Sequence, residues 1–145
     1  MKRPVLLAVA EGAAGYAALV GALAQAGERV GWLDLRSPAA DPSPALEEAA
    51  AAGALRAVAV AGGRVTTVKP IRGEAVLDDL LREHFRGCRL VLVRGGEGLV
   101  RLEAVADGWR LVPPHREAVR QSTSELLAGL RRPSFWRRLG WRAGV

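Results

Sequence analysis

The stretch Pro4-Val5-Leu6-Leu7-Ala8-Val9-Ala10-Glu11-Gly12-Ala13-Ala14-Gly15-Tyr16-Ala17, continuing through Ala18 to Gly27, decides the fold. Pro4–Ala10 is apolar without alternation, the pattern of a strand buried on both faces, as in the middle of a parallel sheet. Gly12–Gly15 turns the chain. Tyr16–Ala26 is rich in alanine and leucine and reads as a helix, with Gly27 placed to stop it. A buried strand, a glycine turn and a helix make the opening of a βαβ unit.

The same alternation continues outward. Arg29–Leu35 reads as a second apolar strand. Asp41-Pro42-Ser43-Pro44 marks a loop, from which Ser43 can cap an alanine-rich helix ending at Gly53. Leu55–Ala61 reads as a third strand, Gly62-Gly63 as a turn and Arg64–Lys69 as a short β stretch. Gly73–Phe85 is amphipathic, with Val76, Leu77, Leu80 and Leu81 on one helical face. Arg89–Val93 is a strongly apolar strand. Leu99–Val105 and Trp109–Val112 flank Asp107-Gly108, the signal of a C-terminal β-hairpin. After Pro113-Pro114 a last helix is expected to about Arg132. Strands separated by helices in this way predict an α/β fold of three layers, a mostly parallel sheet with helices on both faces. The expected division is an α/β domain over residues 1–115 and a C-terminal helix with a basic tail over 116–145.

Composition narrows the classes. The chain has 145 residues, of which 50% are hydrophobic, enough for the core of one domain. One cysteine, Cys88, excludes a disulfide framework and a cysteine-based zinc site. Two histidines, His84 and His115, are too few for a His-rich metal site, so no metal site is expected. No stretch reaches the length of a membrane span. Lys2 and Arg3 precede an apolar run that breaks at Glu11, too early for a secretory h-region, and a cytoplasmic location is the expectation. The net charge of +6 belongs to the end of the chain. Residues 116–145 hold seven arginines and two glutamates, while the rest is nearly balanced.

In open parallel sheets ligands bind beyond the carboxyl ends of the strands. The place to look is therefore the turn after the first strand. Gly12, Ala13, Ala14 and Gly15 have small or absent side chains, which lets backbone N–H groups approach an anion at the helix start. Two nucleotide motifs compete there. In the dinucleotide fingerprint G-x-G-x-x-G, Ala10 replaces the first glycine and Gly12 and Gly15 are kept. Asp34, at the end of the second strand, sits where an acid holds a ribose hydroxyl. Glu11 in the turn would repel a pyrophosphate. In the P-loop G-x-x-x-x-G-K-[ST], Gly15 fits the second glycine. Tyr16 then stands at the lysine and Ala17 at the hydroxyl residue that binds magnesium, so triphosphate hydrolysis is not expected.

The order of features beyond this turn resembles the MobB family, the molybdopterin-guanine dinucleotide biosynthesis protein B group of small P-loop proteins. The carriers are Ala26-Gly27-Glu28-Arg29-Val30 after the first helix, Asp41-Pro42, Ala52-Gly53-Ala54 and the strand Val58–Ala61. Then come Arg89-Leu90-Val91-Leu92-Val93-Arg94-Gly95, similar to a D-L-V-L-V-E-G segment, and Leu99–Val105. The likeness covers roughly residues 4–112, and its ordering carries it. It implies a P-loop NTPase-like sheet and a role in molybdenum-cofactor guanylylation, through GTP or another nucleotide bound weakly, the pterin cofactor or a partner enzyme. A homodimer is among the assemblies considered. The departures fall on the chemistry: Tyr16, Ala17, Arg89 and Arg94 stand where the family has lysine, a hydroxyl and acids. The cofactor-binding candidates are Gly12, Ala13, Ala14, Gly15, Tyr16, Ala17, Asp34 and Arg94, with no catalytic residue.

Other readings stay open. One is a Rossmann-like nucleotide-dependent enzyme using Gly12, Gly15 and Asp34. Another is an interaction module working through its tail. Between Arg131 and Arg142 there are five arginines and no acid, interleaved with Phe135, Trp136 and Trp141. That composition suits a polyanion or an acidic partner, or else the tryptophans pack back on the domain. Arg94 either holds an anion or ends a solvated strand. Asp34 either holds a ribose or caps the following loop. Lys69 and Arg72 are considered as substitutes for the missing lysine, against a surface loop. His84 reads as a surface residue, Cys88 as a core thiol, and Ser122, Thr123 and Ser124 as part of a helix surface.

Overall fold

The expected first strand forms at Val5–Val9, and Leu7 is fully buried. The computed structural model describes residues 4–10, 16–34, 44–52, 54, 56–61 and 63–139. In chain order the elements are β1 Val5–Val9, α1 Ala17–Gln25, β2 Val30–Asp34, α2 Pro44–Ala51, β3 Ala57–Ala61, β4 Arg64–Val68 and α3 Leu77–His84. There follow β5 Leu90–Arg94, β6 Val100–Val105, β7 Gly108–Val112, β8 Val119–Gln121, α4 Thr123–Leu130 and α5 Pro133–Arg138. The chain divides into two compact units, one of residues 1–36 with 84–145 and one of residues 37–83.

The larger unit is an α/β fold on a six-stranded sheet of order β2-β5-β1-β6-β7-β8. β1 is parallel to β5 and to β6, and β2 is parallel to β5. β6, β7 and β8 continue antiparallel. In register, Leu7 stands beside Leu92 and Val100, and Val9 beside Leu102. These side chains share one face with Leu90, Trp109 and Leu111. There they form a single cluster with Leu19 and Leu23 of α1, Leu126 and Leu130 of α4, and Trp136 and Leu139 at α5. Full burial of one such leucine stabilises the fold by about 1.5–3 kcal/mol. On the opposite face Gly31 of β2 is a close approach. A Cβ there would lie 2.3 Å from the Phe85 ring, so only glycine admits that ring over the strand.

Helix α1 ends as its sequence predicts. Gly27 takes φ +77°, a conformation that costs an L side chain strain. The Glu28 N–H donates to the Leu23 carbonyl and the Gly27 N–H to the Ala24 carbonyl, both at 3.0 Å. This pair of bonds is a Schellman stop. It delivers Glu28 to a nearly buried position, with 8% side-chain exposure. Its two carboxylate oxygens accept from Arg131 Nε at 2.7 Å and Arg89 Nε at 3.0 Å. The Arg131 hydrogen bond, with help from Arg89 and against the cost of burial, lowers the Glu28 pKa below the ordinary carboxylate value.

Two expectations are corrected here. The division at residue 115 does not describe the fold. Residues 119–121 are a sixth strand on the sheet, and α4 and α5 bury Leu126, Leu130, Trp136 and Leu139 in the common core. The single helix expected from Pro114 to Arg132 is thus a strand, a turn and a shorter helix. Ser122 breaks the run: it is extended, and its Oγ accepts from the Glu125 N–H at 3.1 Å as an N-cap. Trp136 is 1% exposed and Phe135 packs on Gly129, so these two aromatics belong to the structure. Trp141 lies outside the described residues.

The third strand forms as expected, over Ala57–Ala61, but in a second sheet. In the smaller unit β3 pairs antiparallel with β4 alone, as a two-stranded sheet. The chain returns at once into β4, with Gly63 at φ +72°. A neighbouring-strand hairpin therefore replaces a crossover to the main sheet. β3 is one-sided: Ala57 is buried, whereas Val58 and Val60 are exposed.

Trp136→Ala should cost about 3–5 kcal/mol in denaturant unfolding, the range for truncating a core tryptophan. Trp136→Phe should retain most of the stability, because the buried Trp136 Nε1 has no hydrogen-bond partner among the described residues. For Glu28→Gln the effect is pH-dependent. A carboxylate with a lowered folded pKa contributes stability above its unfolded pKa and loses it as pH falls through the folded value. The gap between native and variant should therefore be full at neutral pH and close in acid, below the ordinary carboxylate range, when unfolding is followed across that series.

Candidate functional site

The carboxyl ends of three parallel strands meet beside the start of α1. Asp34 of β2, Arg94 of β5 and Val9 of β1 stand in one row of the register, with Arg94 in the middle. Neighbouring strands are about 4.8 Å apart, so Asp34 is two strands from β1. Arg94 is half-buried at this end of the sheet. The glycine turn itself, Gly12, Ala13, Ala14 and Gly15 together with Glu11, lies outside the described residues.

The strand order separates the two nucleotide readings. A dinucleotide fold sets its first two strands side by side, in the order 3-2-1-4-5-6. Here β5 stands between β1 and β2. That is the arrangement expected for the P-loop reading, in which the Arg89–Val93 strand lies next to the first strand or one strand away. It takes from the Rossmann-like alternative the adjacency that would bring Asp34 to a ribose beside the turn.

Tyr16 is the best-defined residue of the site. It stands at the N-cap of α1 without a side-chain cap bond, and it is 5% exposed. Its hydroxyl donates to the Leu102 carbonyl of β6 at 2.8 Å and accepts from the Ala10 N–H at 3.4 Å. The ring stacks on Trp109, with centroids 5.7 Å apart, and tilts against Trp32 at 6.2 Å. Trp109 is held in turn, since its Nε1–H donates to Thr123 Oγ1 at 3.0 Å. The residue at the lysine position is thus built into the core and offers no cation to a phosphate. Ala17, the first residue of α1, is exposed and brings no hydroxyl.

The remaining candidates are placed as follows. Arg89, at the first acidic position of the D-L-V-L-V-E-G-like segment, is engaged by Glu28. Lys69 Nζ donates to both oxygens of Glu83 at 2.9 Å, and Arg56 reaches the same carboxylate at 3.0 Å, all within the smaller unit. Lys69 is therefore fixed by an ion pair, while Arg72 is exposed. His84 is exposed, with Phe85 edge-on to it. Cys88 is half-buried just before β5. Among the described residues no group of three His, Cys, Asp or Glu could hold a metal ion, and no helix is long and apolar enough to cross a membrane. Glu28, Leu102 and Trp109 were not among the sequence candidates. A glutamate after a helix-stopping glycine is ordinary, and the partner of Tyr16 lies 86 residues along the chain.

No protein-family model matches the sequence, and no curated protein matches it. Among solved structures the chain is similar to the crystal structure of Bacillus subtilis MobB, at 12% identity and a TM-score of 0.48, over 71% of this chain and 69% of that one. It is also similar to a MobB protein homolog from Bacillus stearothermophilus, at 23% identity and a TM-score of 0.41. That match covers 65% of this chain but only 57% of the other.

Tyr16→Phe should destabilise the chain by about 1–2 kcal/mol, since it leaves the buried Leu102 carbonyl without its donor. Tyr16→Lys should be worse, because it removes the ring from the aromatic stack and directs an ammonium group into the core. Denaturant midpoints of the two variants against the native chain check the order.

Proposed function

We propose that this chain is a MobB-like accessory protein of molybdenum-cofactor biosynthesis that acts in molybdopterin guanine dinucleotide formation by binding, without hydrolysing a nucleotide. The observation that carries the proposal is Tyr16. Its hydroxyl is bonded across to Leu102 beneath the start of α1, at the position where hydrolysis would need a lysine on the phosphates. Ala17 supplies no magnesium ligand, and Arg94 ends β5 where an acid would stand. The order of sequence features from Pro4 to Val112 supports the choice of family. The adjacency of β1 and β5 supports the P-loop sense of the glycine turn.

In this reading the ligand is an anion, held weakly by the backbone N–H groups of Gly12, Ala13, Ala14, Gly15 and Tyr16 at the helix start. An exposed helix terminus contributes about 0.3–1 kcal/mol to such a contact. Arg94, in the row between Asp34 and Val9, supplies a positive charge at this end of the sheet. A guanylyl-transferring partner enzyme completes the reaction. The outward arginines of the C-terminal segment, among them Arg132, Arg137 and Arg138, offer that enzyme a surface for its acidic groups. Arg116 is held against the same segment by its bond to the Arg138 carbonyl.

The expected results are specific. GTP turnover stays at background with or without magnesium. Calorimetry with GTP, ATP and NAD side by side gives weak guanine-nucleotide binding that magnesium does not strengthen. Adding the chain to a reconstituted guanylylation of molybdopterin raises the yield. Magnesium-dependent turnover abolished by enlarging Gly15 would overturn the non-hydrolytic reading. An unchanged yield would overturn the accessory role.

A further inference from the structure

Among the described residues the main sheet ends in an open edge with its own chemistry. β8 pairs with β7 alone, and among the described residues no backbone hydrogen bond joins Val119–Gln121 to another segment. Its outer N–H and C=O groups therefore face away from the sheet. The strand alternates. Val119 and Gln121 share the face of Leu111 and Trp109, where α4 packs, and Arg120 points to the other face, directly opposite Arg110.

That other face is charged at this end. Glu103 of β6 stands across from Arg110 and accepts from Arg110 Nη2 at 2.6 Å and from Arg101 Nε at 2.8 Å. One carboxylate thus serves two guanidinium groups and fixes them side by side, each still half-exposed. Arg120 adds a third and has no acidic partner among the described residues. Like charges placed opposite one another weaken strand pairing. The surface carries an excess of positive charge that the fold leaves unbalanced. A cationic side chain on an edge strand repels a basic strand and would lose water without compensation beside a neutral one, whereas an acidic strand is drawn to it.

We propose that the β8 edge is a docking site for an extended acidic segment of a partner protein, which adds as a strand beside β8 and places a carboxylate against Arg120. Main-chain bonds to β8 give such a contact its register, and alternate side chains give its specificity. Acidic residues in the added strand alternate toward Arg120, with Arg110 one strand further in. The residues between them lie on the side of Val119 and Gln121. Guanidinium forks match carboxylates in two parallel bonds. A nucleic acid fits less well, because among the described residues no aromatic ring is exposed on this face to stack a base.

The test uses the full chain and a synthetic peptide alternating glutamate with threonine. A glutamine-for-glutamate peptide and a single-stranded DNA oligonucleotide are the controls. Binding of the glutamate peptide is expected, with new hydrogen-exchange protection at Val119–Gln121. Arg120→Glu should weaken it at least about tenfold, and Arg120→Gln less, while thermal unfolding stays close to that of the native chain because the side chain is exposed. No binding, equal binding of the glutamine peptide, or binding unchanged in Arg120→Glu overturns the proposal. So does binding without protection at β8, which would be charge attraction alone. Tighter, protecting binding of the oligonucleotide overturns it in favour of a nucleic-acid surface.

Discussion

The larger unit depends on β1 being hydrogen-bonded along both sides. Its parallel partners, β5 and β6, are built from residues more than eighty positions away. A strand flanked on both edges by parallel partners lies in the interior of the sheet, where apolar side chains on both faces are the rule. Pro4–Ala10 follows that rule with no polar residue. The odd-numbered positions Val5, Leu7 and Val9 then select what covers them, namely α1, α4 and α5. Tyr16 closes the arrangement. Its hydroxyl links the exit of β1 to β6, and its ring ties the start of α1 to Trp109 on β7.

This explains which parts of the fold were legible. The runs at 5–9, 30–34 and 90–94 are strands because nothing else accommodates continuous β-rich apolar sequence of that length, and the Gly27 stop is local chemistry. β8 was not legible. Glu117-Ala118-Val119-Arg120-Gln121 has the composition of a helix start, and only pairing with β7 makes it extended. The fate of β3 was hidden for a similar reason. Periodicity says that a segment is a strand but not which strand it joins. The tail stayed open between two readings because its arginines outnumber its aromatics. Composition does not reveal that Phe135 and Trp136 turn inward while Arg137 and Arg138 turn out. At the site, the absence of lysine and hydroxyl at Tyr16 and Ala17 could be read directly. The positive reason for the tyrosine, a carbonyl on β6, could not.

Electrostatics follows one pattern in three places. Glu28 holds Arg89 and Arg131, Glu103 holds Arg101 and Arg110, and Glu83 holds Arg56 and Lys69. Each glutamate is shared by two cations from different parts of the chain. Exposed single pairs contribute little. The nearly buried Glu28 is the strongest of the three, because removing either arginine there leaves a desolvated carboxylate short of a partner. With these three glutamates each committed to two cations, the exposed arginines on β8 and α5 add positive charge to the surface. Chain-wide charge is therefore a poor guide to where an anion would bind, and the pairing of each arginine is a better one.

The position of Tyr16 also bears on how this site differs from a hydrolytic one. A phosphate-binding lysine must leave the core and extend toward the turn, whereas Tyr16 turns inward and is held by a carbonyl, an amide and two indole rings. These contacts form one network, because Trp109 is anchored by Thr123 at the start of α4, and α4 in turn carries Arg131 to Glu28. A substitution at residue 16 therefore acts on the C-terminal helices as well as on the turn. Placing lysine and a hydroxyl at residues 16 and 17 would add functional groups while removing the interactions that fix the helix presenting them. In this chain the residue at the start of α1 is a packed core residue, and a lysine there would exclude that packing.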